Sequence, residues 1–293
     1  MREELFGPSA WGPLARALAD FHAGVRTATL RVYSDEGELD PMPAAVFFRG
    51  REGLRPADRE ALARVRGRVL DGGAGAGSLA LLLQADGVEV TAVEVIPEAV
   101  EIMRARGVLD ARAGRLEDLP ETGAFDTILL LMNGTALAGT LDGLAPLLQA
   151  LARLLAPGGQ VLVDSTDLGE GGAEGVMEVG EGREGHARRE GEEGGGGADA
   201  DEAYPGELHY QLEYRGTRGA PFPQLFVDPG TLVHAAGEEG WDVEVVWRGE
   251  EEEYLARLTR REPRGRSEAG KARPKRSLED PPPPFSRPGP ETA

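Results

Sequence analysis

Short apolar runs alternate with amphipathic stretches between residues 68 and 164 of the chain. The apolar runs predict buried strands of a parallel sheet, at residues 68–71, 88–94, 108–113, 125–132 and 160–164. The stretches between them carry apolar residues at helical spacing. One predicted helix begins at Pro97 and ends at Gly107, residue types that favour those two positions. Strands and helices that alternate in this way predict an open parallel sheet with helices on both faces.

The pattern changes near the C-terminus. Residues 241–260 hold two strand-like runs around a short polar loop, which predicts an antiparallel hairpin. The predicted fold class is therefore α/β: a Rossmann-like open sheet of about seven strands, mostly parallel, that finishes with a C-terminal antiparallel hairpin.

Composition divides the chain into segments. Two of them have few large apolar residues to offset the entropy of ordering, so we predict that they are disordered. They are an acidic insert rich in Gly and Glu and a tail rich in Pro and Arg. The predicted order is an N-terminal helical cap segment (1–67), a cofactor-binding core (68–168), the acidic insert (169–203), a substrate-side segment with the hairpin that completes the same domain (204–260), and the tail (261–293).

A glycine-rich loop, "LDGGAGAG", follows the first predicted strand, and Glu94 ends the second. Glycines at this place let backbone N–H groups come close to a ligand at the carboxyl ends of the strands. A carboxylate at the end of the second strand can accept hydrogen bonds from the hydroxyls of a ribose. A dinucleotide site is the competing interpretation, because G-x-G-x-x-G/A fits Gly75, Gly77 and Ala80. Asp71, however, would then lie where a pyrophosphate has to bind.

The loop resembles the D-x-G-x-G-x-G motif of class I S-adenosylmethionine-dependent methyltransferases, whose ligand carries a sulfonium cation. The stretches "VTAVEVIPEAVEIMRARGV", "LEDLPETGAFDTILLL" and "LARLLAPGGQVLVD" resemble later motifs of that superfamily, in the usual order. Other stretches, among them "YQLEYRGTRGAPFPQLFVD", resemble a bacterial subgroup to which we assign no substrate. The resemblance covers residues 5–260 apart from the insert.

The resemblance implies S-adenosyl-L-methionine as the cofactor, a methyltransferase activity and a set of cofactor contacts. Gly73, Gly75 and Gly77 would pass the methionine moiety, and Asp71 would lie near its amino group or an ordered water. Glu94 would hold the ribose, and Val95 or Ile96 would pack on the adenine.

Two further positions follow from the same resemblance. Many relatives carry an acid near the adenine amine, where this chain has Arg115. The contact would then fall to Glu117 or to the backbone of Leu116. Asn133 follows the fourth strand, where relatives place groups that face substrate or cofactor. The alternative for Asn133 is a simple turn formed by an Asn-Gly pair.

No catalytic residue is fixed by the sequence. The fourth strand ends in "LLLMNGT" instead of the [D/N]-P-P-[Y/F] motif, which argues against amino groups of nucleobases or glutamine as acceptors. Asn133, Asp164, His209 and Tyr210 are candidates for the substrate side. A structural role is the alternative for each of these residues. For His209 and Tyr210 the alternative is an ordinary alternating strand, which the pattern "HYQLEY" also predicts. We also expect residues 9–24 and 204–227 to form a lid over the site.

Composition restricts the partners. The net charge of −19 argues against nucleic acid as the main partner. The chain has no cysteine and four scattered histidines, so no metal site is expected. It lacks a signal-peptide pattern and an apolar run that could span a membrane, and we expect a cytoplasmic bacterial protein with a small-molecule substrate. The oligomeric state is not predicted. The alternatives are a non-catalytic S-adenosylmethionine-binding or interaction protein and an NAD-dependent oxidoreductase.

Overall fold

The computed structural model describes residues 8–35, 37–169 and 204–261. Residues 170–203 and 262–293, which hold nearly all of the predicted insert and tail, lie outside the described residues. The helices are α1 (Pro8–His22), α2 (Pro56–Leu62), α3 (Ser78–Ala85), α4 (Pro97–Arg106), α5 (Leu141–Leu154) and α6 (Pro229–Glu238). The strands are β1 (Thr29–Ser34), β2 (Gly37–Pro43), β3 (Val69–Gly72), β4 (Val90–Glu94), β5 (Ala111–Ala113), β6 (Phe125–Leu130), β7 (Leu155–Thr166), β8 (Glu207–Tyr214), β9 (Thr217–Arg218), β10 (Phe222–Leu225), β11 (Trp241–Arg248) and β12 (Glu253–Arg260).

A seven-stranded sheet forms the centre of the fold, in the order β11-β12-β7-β6-β3-β4-β5. Strands β3 to β7 pair in parallel, whereas β12 runs antiparallel to both β7 and β11. The predicted α/β class, the mostly parallel sheet and its C-terminal hairpin are therefore confirmed. The order reverses between β3 and β6, and ligands of open α/β sheets bind at the carboxyl ends of the strands beside such a reversal.

Local chemistry explains most element boundaries. Helix α4 begins with Pro97 and ends before Gly107, which has a φ of 100°. The side chain of Thr140 accepts a hydrogen bond from the N–H of Gly143 at 3.2 Å and caps α5. Helix α5 ends sooner than its apolar pattern suggests, because Leu155 already pairs with Phe125 at the start of β6. Strand β7 therefore begins five positions before the predicted residue 160.

A second, five-stranded antiparallel sheet was not predicted; its order is β10-β8-β1-β2, with β9 paired to β8. The N-terminal segment is thus a mixture of helix and sheet, and its description as helical is wrong. Strand β2 contains Pro41 and Pro43, and proline is uncommon in strands because it has no backbone N–H to donate. They fit here because β2 lies at the edge of the sheet, where a missing N–H leaves no partner unpaired.

The second sheet borders the carboxyl ends of β6 and β7. The hydroxyl of Thr135, just after β6, donates to the carbonyl of Leu225 at 3.0 Å. The N–H of Val227 donates to the hydroxyl of Ser165, in β7, at 2.9 Å. Helix α1 packs on the same sheet, where the hydroxyl of Tyr214 donates to Asp20 at 2.8 Å. These contacts place the second sheet and α1 beside the edge at which a ligand would bind.

In the described part of the chain, none of the helices has the length and apolar character needed to cross a bilayer.

Candidate active site

A cavity of about 1190 Å³ opens at the carboxyl ends of β3, β4, β6 and β7 and extends to the second sheet. One half is lined by the glycine loop and the end of β4, and we call it the loop half. The other half is lined by aromatic and apolar side chains of α1, β8 and β10, and we call it the aromatic half. Each of the two halves contains residues that the sequence had singled out.

The glycine loop lines the cavity with most of its predicted residues. Gly73 and Gly75 lie there with φ angles of 71° and 55°, a backbone region that glycine adopts without strain. Gly77 has a φ of 80° but does not line the cavity. A Cβ atom on Gly77 would lie 2.8 Å from Val108 and 2.9 Å from Met103. The structure therefore makes Gly77 a packing glycine beneath the loop, which differs from its expected place beside the ligand.

Glu94 ends β4 and fixes the shape of the loop. Its carboxylate is buried and accepts hydrogen bonds from the N–H groups of Gly75 at 2.9 Å, Val95 at 2.7 Å and Ile96 at 3.1 Å. Burial raises the pKa of Glu94, and the three N–H donors oppose that rise. A carboxylate has about four acceptor positions, so the carboxylate keeps about one for a ligand.

Asp71, next to the end of β3, is a buried carboxylate in the wall of the cavity. Its Oδ2 atom is buried and has no hydrogen-bond partner among the described residues. Burial raises the pKa of Asp71 to about 7, and the nearby charge of Glu94 adds to the rise. A buried acid of this kind is stabilised in its ionised form by a cation, and the loop half therefore offers a position for a positively charged group.

The predicted adenine side is present in the loop half. Val95, Leu116 and Glu117 all line the cavity, and Val95 is partly exposed. Leu116 and Glu117 belong to a short 3-10 turn, Leu116–Asp118. Arg115, found where many relatives have an acid, also lines the cavity and forms an ion pair with Glu117 at 3.5 Å. The carboxylate of Glu117 therefore lies at the cavity wall two residues after the position at which many relatives have an acid.

Asn133 lines the cavity, but its amide makes structural contacts. Its Nδ2 donates to the carbonyl of Leu225 at 3.1 Å, and its Oδ1 accepts from the hydroxyl of Ser165 at 3.2 Å and lies 3.0 Å from the hydroxyl oxygen of Thr135. Met132 and Asn133 both have left-handed backbone angles, with φ of 66° and 59°. Such angles cost non-glycine residues free energy and persist where surrounding contacts hold them.

The side chain of Asp164 makes several of the contacts that keep Met132 and Asn133 in their left-handed conformation. The side chain is buried, and its two oxygens accept from the N–H groups of Met132 at 3.1 Å and Gly134 at 3.0 Å. The same carboxylate forms an ion pair with Arg55 at 2.7 Å. Asp164 therefore lines the cavity as a clamp on the turn after β6, and its acceptor positions are largely occupied.

Arg55 belongs to a buried ionic cluster that the sequence analysis missed. Its guanidinium also contacts Asp58 at 2.7 Å and Glu253 at 3.7 Å. Asp58 is fully buried and also forms an ion pair with a second guanidinium group, that of Arg49, at 3.2 Å. One local signal was available: Pro56 and Asp58 occupy positions of the first helical turn that favour proline and an acid. Nothing local indicated the partners far along the chain.

The aromatic half contains Tyr210 but not His209. Tyr210 is buried, with its ring 6.0 Å from that of Phe226, and both line the cavity. His209 points away: its side chain is exposed and lies beside Asp35, with Nδ1 3.3 Å from the carboxylate. Neighbours on a strand face opposite sides, so only one of this pair can face the site. His209 is therefore wrong as a candidate for the site.

The two segments expected to form a lid contact each other in the aromatic half. The rings of Trp11 and Phe222 are 4.3 Å apart, and both line the cavity. His22, on the same helix as Trp11, does not reach the cavity and lies against Phe48 at 6.4 Å. The described residues also contain no cluster of potential metal ligands.

The geometry has a counterpart among solved structures. A S-adenosylmethionine-dependent methyltransferase from Bacteroides fragilis, solved in complex with S-adenosyl-L-homocysteine, aligns with a TM-score of 0.71 and 34% sequence identity. The alignment covers 87% of this chain and 97% of that protein. The chain belongs to the S-adenosylmethionine-dependent methyltransferases. A family model described as a methyltransferase domain also matches residues 69–159 of this chain, from β3 into β7.

Curated relatives match a smaller part of this chain. A ubiquinone biosynthesis O-methyltransferase from Xanthomonas oryzae pv. oryzae (strain PXO99A) is 35% identical over 105 residues, which are 33% of this chain and 42% of that protein. The protein of the same name from Xylella fastidiosa (strain M23) is 32% identical over 105 residues, 33% of this chain and 41% of its own length. The chain thus spans less than half the length of these relatives.

S-adenosyl-L-methionine is the cofactor of this family, and the loop half fits it. Asp71 is a buried carboxylate whose Oδ2 atom has no hydrogen-bond partner among the described residues, which suits a cationic ligand. Gly75 leaves open the space between the loop and Phe47, where a Cβ atom would come within 3.1 Å of the ring. A pyrophosphate would meet Asp71 as a like charge, so the dinucleotide interpretation does not fit.

Proposed function

We propose that the chain transfers a methyl group from S-adenosyl-L-methionine to a small-molecule acceptor held in the aromatic half. The observation that carries the proposal is the single cavity that joins the glycine loop to the aromatic rings of α1, β8 and β10. Its volume of about 1190 Å³ exceeds the roughly 300–1,000 Å³ of a pocket for one ligand, which leaves room for cofactor and acceptor together.

The contacts of the loop half support a set of roles for the cofactor. Asp71 faces the ammonium group of the methionine, and Gly73 and Gly75 bring the backbone next to the same moiety. Glu94 accepts one ribose hydroxyl with the acceptor position that its three N–H donors leave. The adenine lies against Val95, Leu116 and Glu117.

The bound cofactor supplies an electrophilic methyl group on a sulfonium. The chain holds the nucleophile of the acceptor in line with that carbon, and this orientation removes much of the entropic barrier to transfer. The aromatic half is lined by Trp11, Tyr210, Phe222 and Phe226 and excludes water from the acceptor. None of the described histidines lines the cavity, so the proposal assigns no histidine as a general base.

Transfer to a small molecule is tested with S-adenosylmethionine that carries a labelled methyl group, incubated with the protein and a bacterial extract. We expect label in the low-molecular-weight fraction, and much less label there with the Glu94→Ala variant at a low concentration of S-adenosylmethionine. Label that accumulates only in protein or nucleic acid would contradict the acceptor class. Binding of S-adenosylhomocysteine without any transfer would favour a binding protein over an enzyme.

Cofactor binding should also release a proton from Asp71. The pKa of Asp71 is about 7 in the unliganded fold and 3.8 ordinarily. At a pH between these two values, Asp71 is therefore protonated in the folded protein and ionised in the unfolded chain. The stability contributed by this proton is present below about pH 4 and is lost as the pH rises to about 7. An ammonium group beside Asp71 favours the ionised form, so affinity should increase between about pH 5 and about pH 8.

Calorimetry in two buffers of different ionisation enthalpy measures this proton. At pH 6 we expect about one proton to be released per cofactor bound, and few above pH 8. Asp71→Asn should bind with an enthalpy that no longer depends on the buffer. A wild-type enthalpy that is equal in both buffers at pH 6 would contradict the assignment of Asp71.

A further inference from the structure

Arg49 lies where the chain crosses the glycine loop. It follows the short 3-10 helix Ala44–Phe48, whose carbonyl at Phe47 accepts a hydrogen bond from the hydroxyl of Ser78 at 2.7 Å. The Phe47 ring is the side chain that a Cβ atom on Gly75 would meet. Arg49 itself lines the cavity, two residues beyond this crossing. Arg49 therefore lines the cavity at the end of a segment that is tied to the glycine loop.

The Arg49 guanidinium is largely buried but only partly paired. Its side chain is 14% exposed, and one of its terminal nitrogens forms an ion pair with Asp58 at 3.2 Å. Its Nε atom is buried and has no hydrogen-bond partner among the described residues. A guanidinium has five N–H donors in a planar fork that matches a carboxylate. Burial lowers the pKa of Arg49 in spite of the attraction to Asp58, as expected for a cation whose charge is incompletely compensated.

Arg55 provides a comparison within the same cavity wall. It contacts the carboxylates of Asp58, Asp164 and Glu253, so its charge is compensated by three acids. Among the described residues, Arg49 has an ion pair with one of these acids, Asp58, and the charge of Asp164 acts on it from farther away. Arg49 is the more buried of these two guanidinium groups. It has more N–H donors left for an anion than Arg55, whose Nε and Nη2 already donate to Asp58 and Asp164.

Asp71 provides the complementary charge at the same end of the cavity. The charge of Asp58 acts on both Arg49 and Asp71, so each of these two residues lies within electrostatic reach of Asp58, and both line the cavity. Asp71 is a buried acid in need of a cation, and Arg49 is a buried cation in need of an anion. A zwitterionic amino-acid group carries both charges on a single carbon and would satisfy both residues at once.

We propose that Arg49 binds the carboxylate of the cofactor's methionine moiety, opposite the ammonium group at Asp71. The assignment rests on the proposed function, which places that moiety in the loop half. It adds a residue outside the glycine loop and outside the matched domain of residues 69–159 to the cofactor site. The segment before α2 would then contact the amino-acid end of the cofactor and not its adenosine.

The test compares S-adenosylmethionine with its decarboxylated analogue by calorimetry. The two ligands differ by the carboxylate alone, and the analogue has the higher net positive charge. We expect the wild type to bind S-adenosylmethionine about 10- to 100-fold more tightly, the range for charge-assisted hydrogen bonds. An acidic cavity without a carboxylate contact would prefer the more cationic analogue, so equal or reversed affinities would overturn the proposal.

Arg49→Gln should remove this discrimination. We expect the variant to lose about 10- to 100-fold in affinity for S-adenosylmethionine and less than about twofold for the decarboxylated analogue. Arg51→Gln is the matched control, because Arg51 is exposed, pairs with Asp86 on the surface and lies two residues away. An equal loss for both ligands, or no loss for either, would overturn the role of Arg49. A wild type that binds neither ligand would instead overturn the proposed function.

Discussion

Replacement of Glu94 by alanine is expected to reduce the affinity for S-adenosylhomocysteine at least ~30-fold, which is about 2 kcal/mol. The variant loses the acceptor proposed for the ribose. It also leaves the N–H groups of Gly75, Val95 and Ile96 without the carboxylate that now holds them at 2.7–3.1 Å. The loop would therefore lose its shape together with its ligand contact. Isothermal titration calorimetry at a temperature where the variant is folded measures the effect.

Glu98→Ala is the control for this variant. Glu98 is an exposed acid on the first turn of α4, four residues beyond Glu94. It should leave the affinity within about twofold of the wild type, because surface charges make weak contributions. Equal affinities of the Glu94 variant and the wild type would show that the ligand does not lie at the end of β4.

Replacement of Asp164 by alanine is expected to have the largest effect on stability, a loss of about 3–5 kcal/mol in the free energy of unfolding. The change leaves the buried guanidinium of Arg55 with one fewer acid. It also removes the acceptor for the N–H groups of Met132 and Gly134, on which the left-handed turn at Met132 and Asn133 depends. Urea denaturation followed by circular dichroism measures the loss.

Asp86→Ala is the matched control, since Asp86 pairs with Arg51 at 2.6 Å on the exposed surface. Removal of a surface ion pair costs less than about 1 kcal/mol. If the Asp164 variant lost no more than the Asp86 variant, the cluster around Arg55 would not stabilise the turn.

The central sheet could be predicted because its signals are local. Strands β3, β4, β6 and β7 each contain a short apolar run. Helix α4 begins at a proline and ends before a glycine, as expected from the sequence. The second sheet could not be predicted in the same way. Strand β1 pairs with β8, from Arg31 opposite Glu213 to Tyr33 opposite Gln211, and no local pattern specifies a pairing between residues so distant in sequence. The prolines of β2 further obscured its strand.

The same distinction holds for the site. Asp71, Gly75 and Glu94 lie within one β-loop-α-β unit, so their proximity follows from the motif, and all three line the cavity. The meeting of Arg55 with Asp164 and of Trp11 with Phe222 depends on tertiary packing and was not derivable. Among the candidates for the substrate side, alternation along β8 decided which of His209 and Tyr210 faces inward, once the position of the second sheet was known.

The most direct test of the central claim is a crystal structure of the protein with S-adenosylhomocysteine. The account predicts the ribose at Glu94, the amino-acid group between Asp71 and Arg49, and the sulfur facing the aromatic half near Tyr210 and Phe222. A ligand whose sulfur faced away from the aromatic half, or an aromatic half filled by the adenine, would contradict the claim that one cavity holds the cofactor and a small methyl acceptor together.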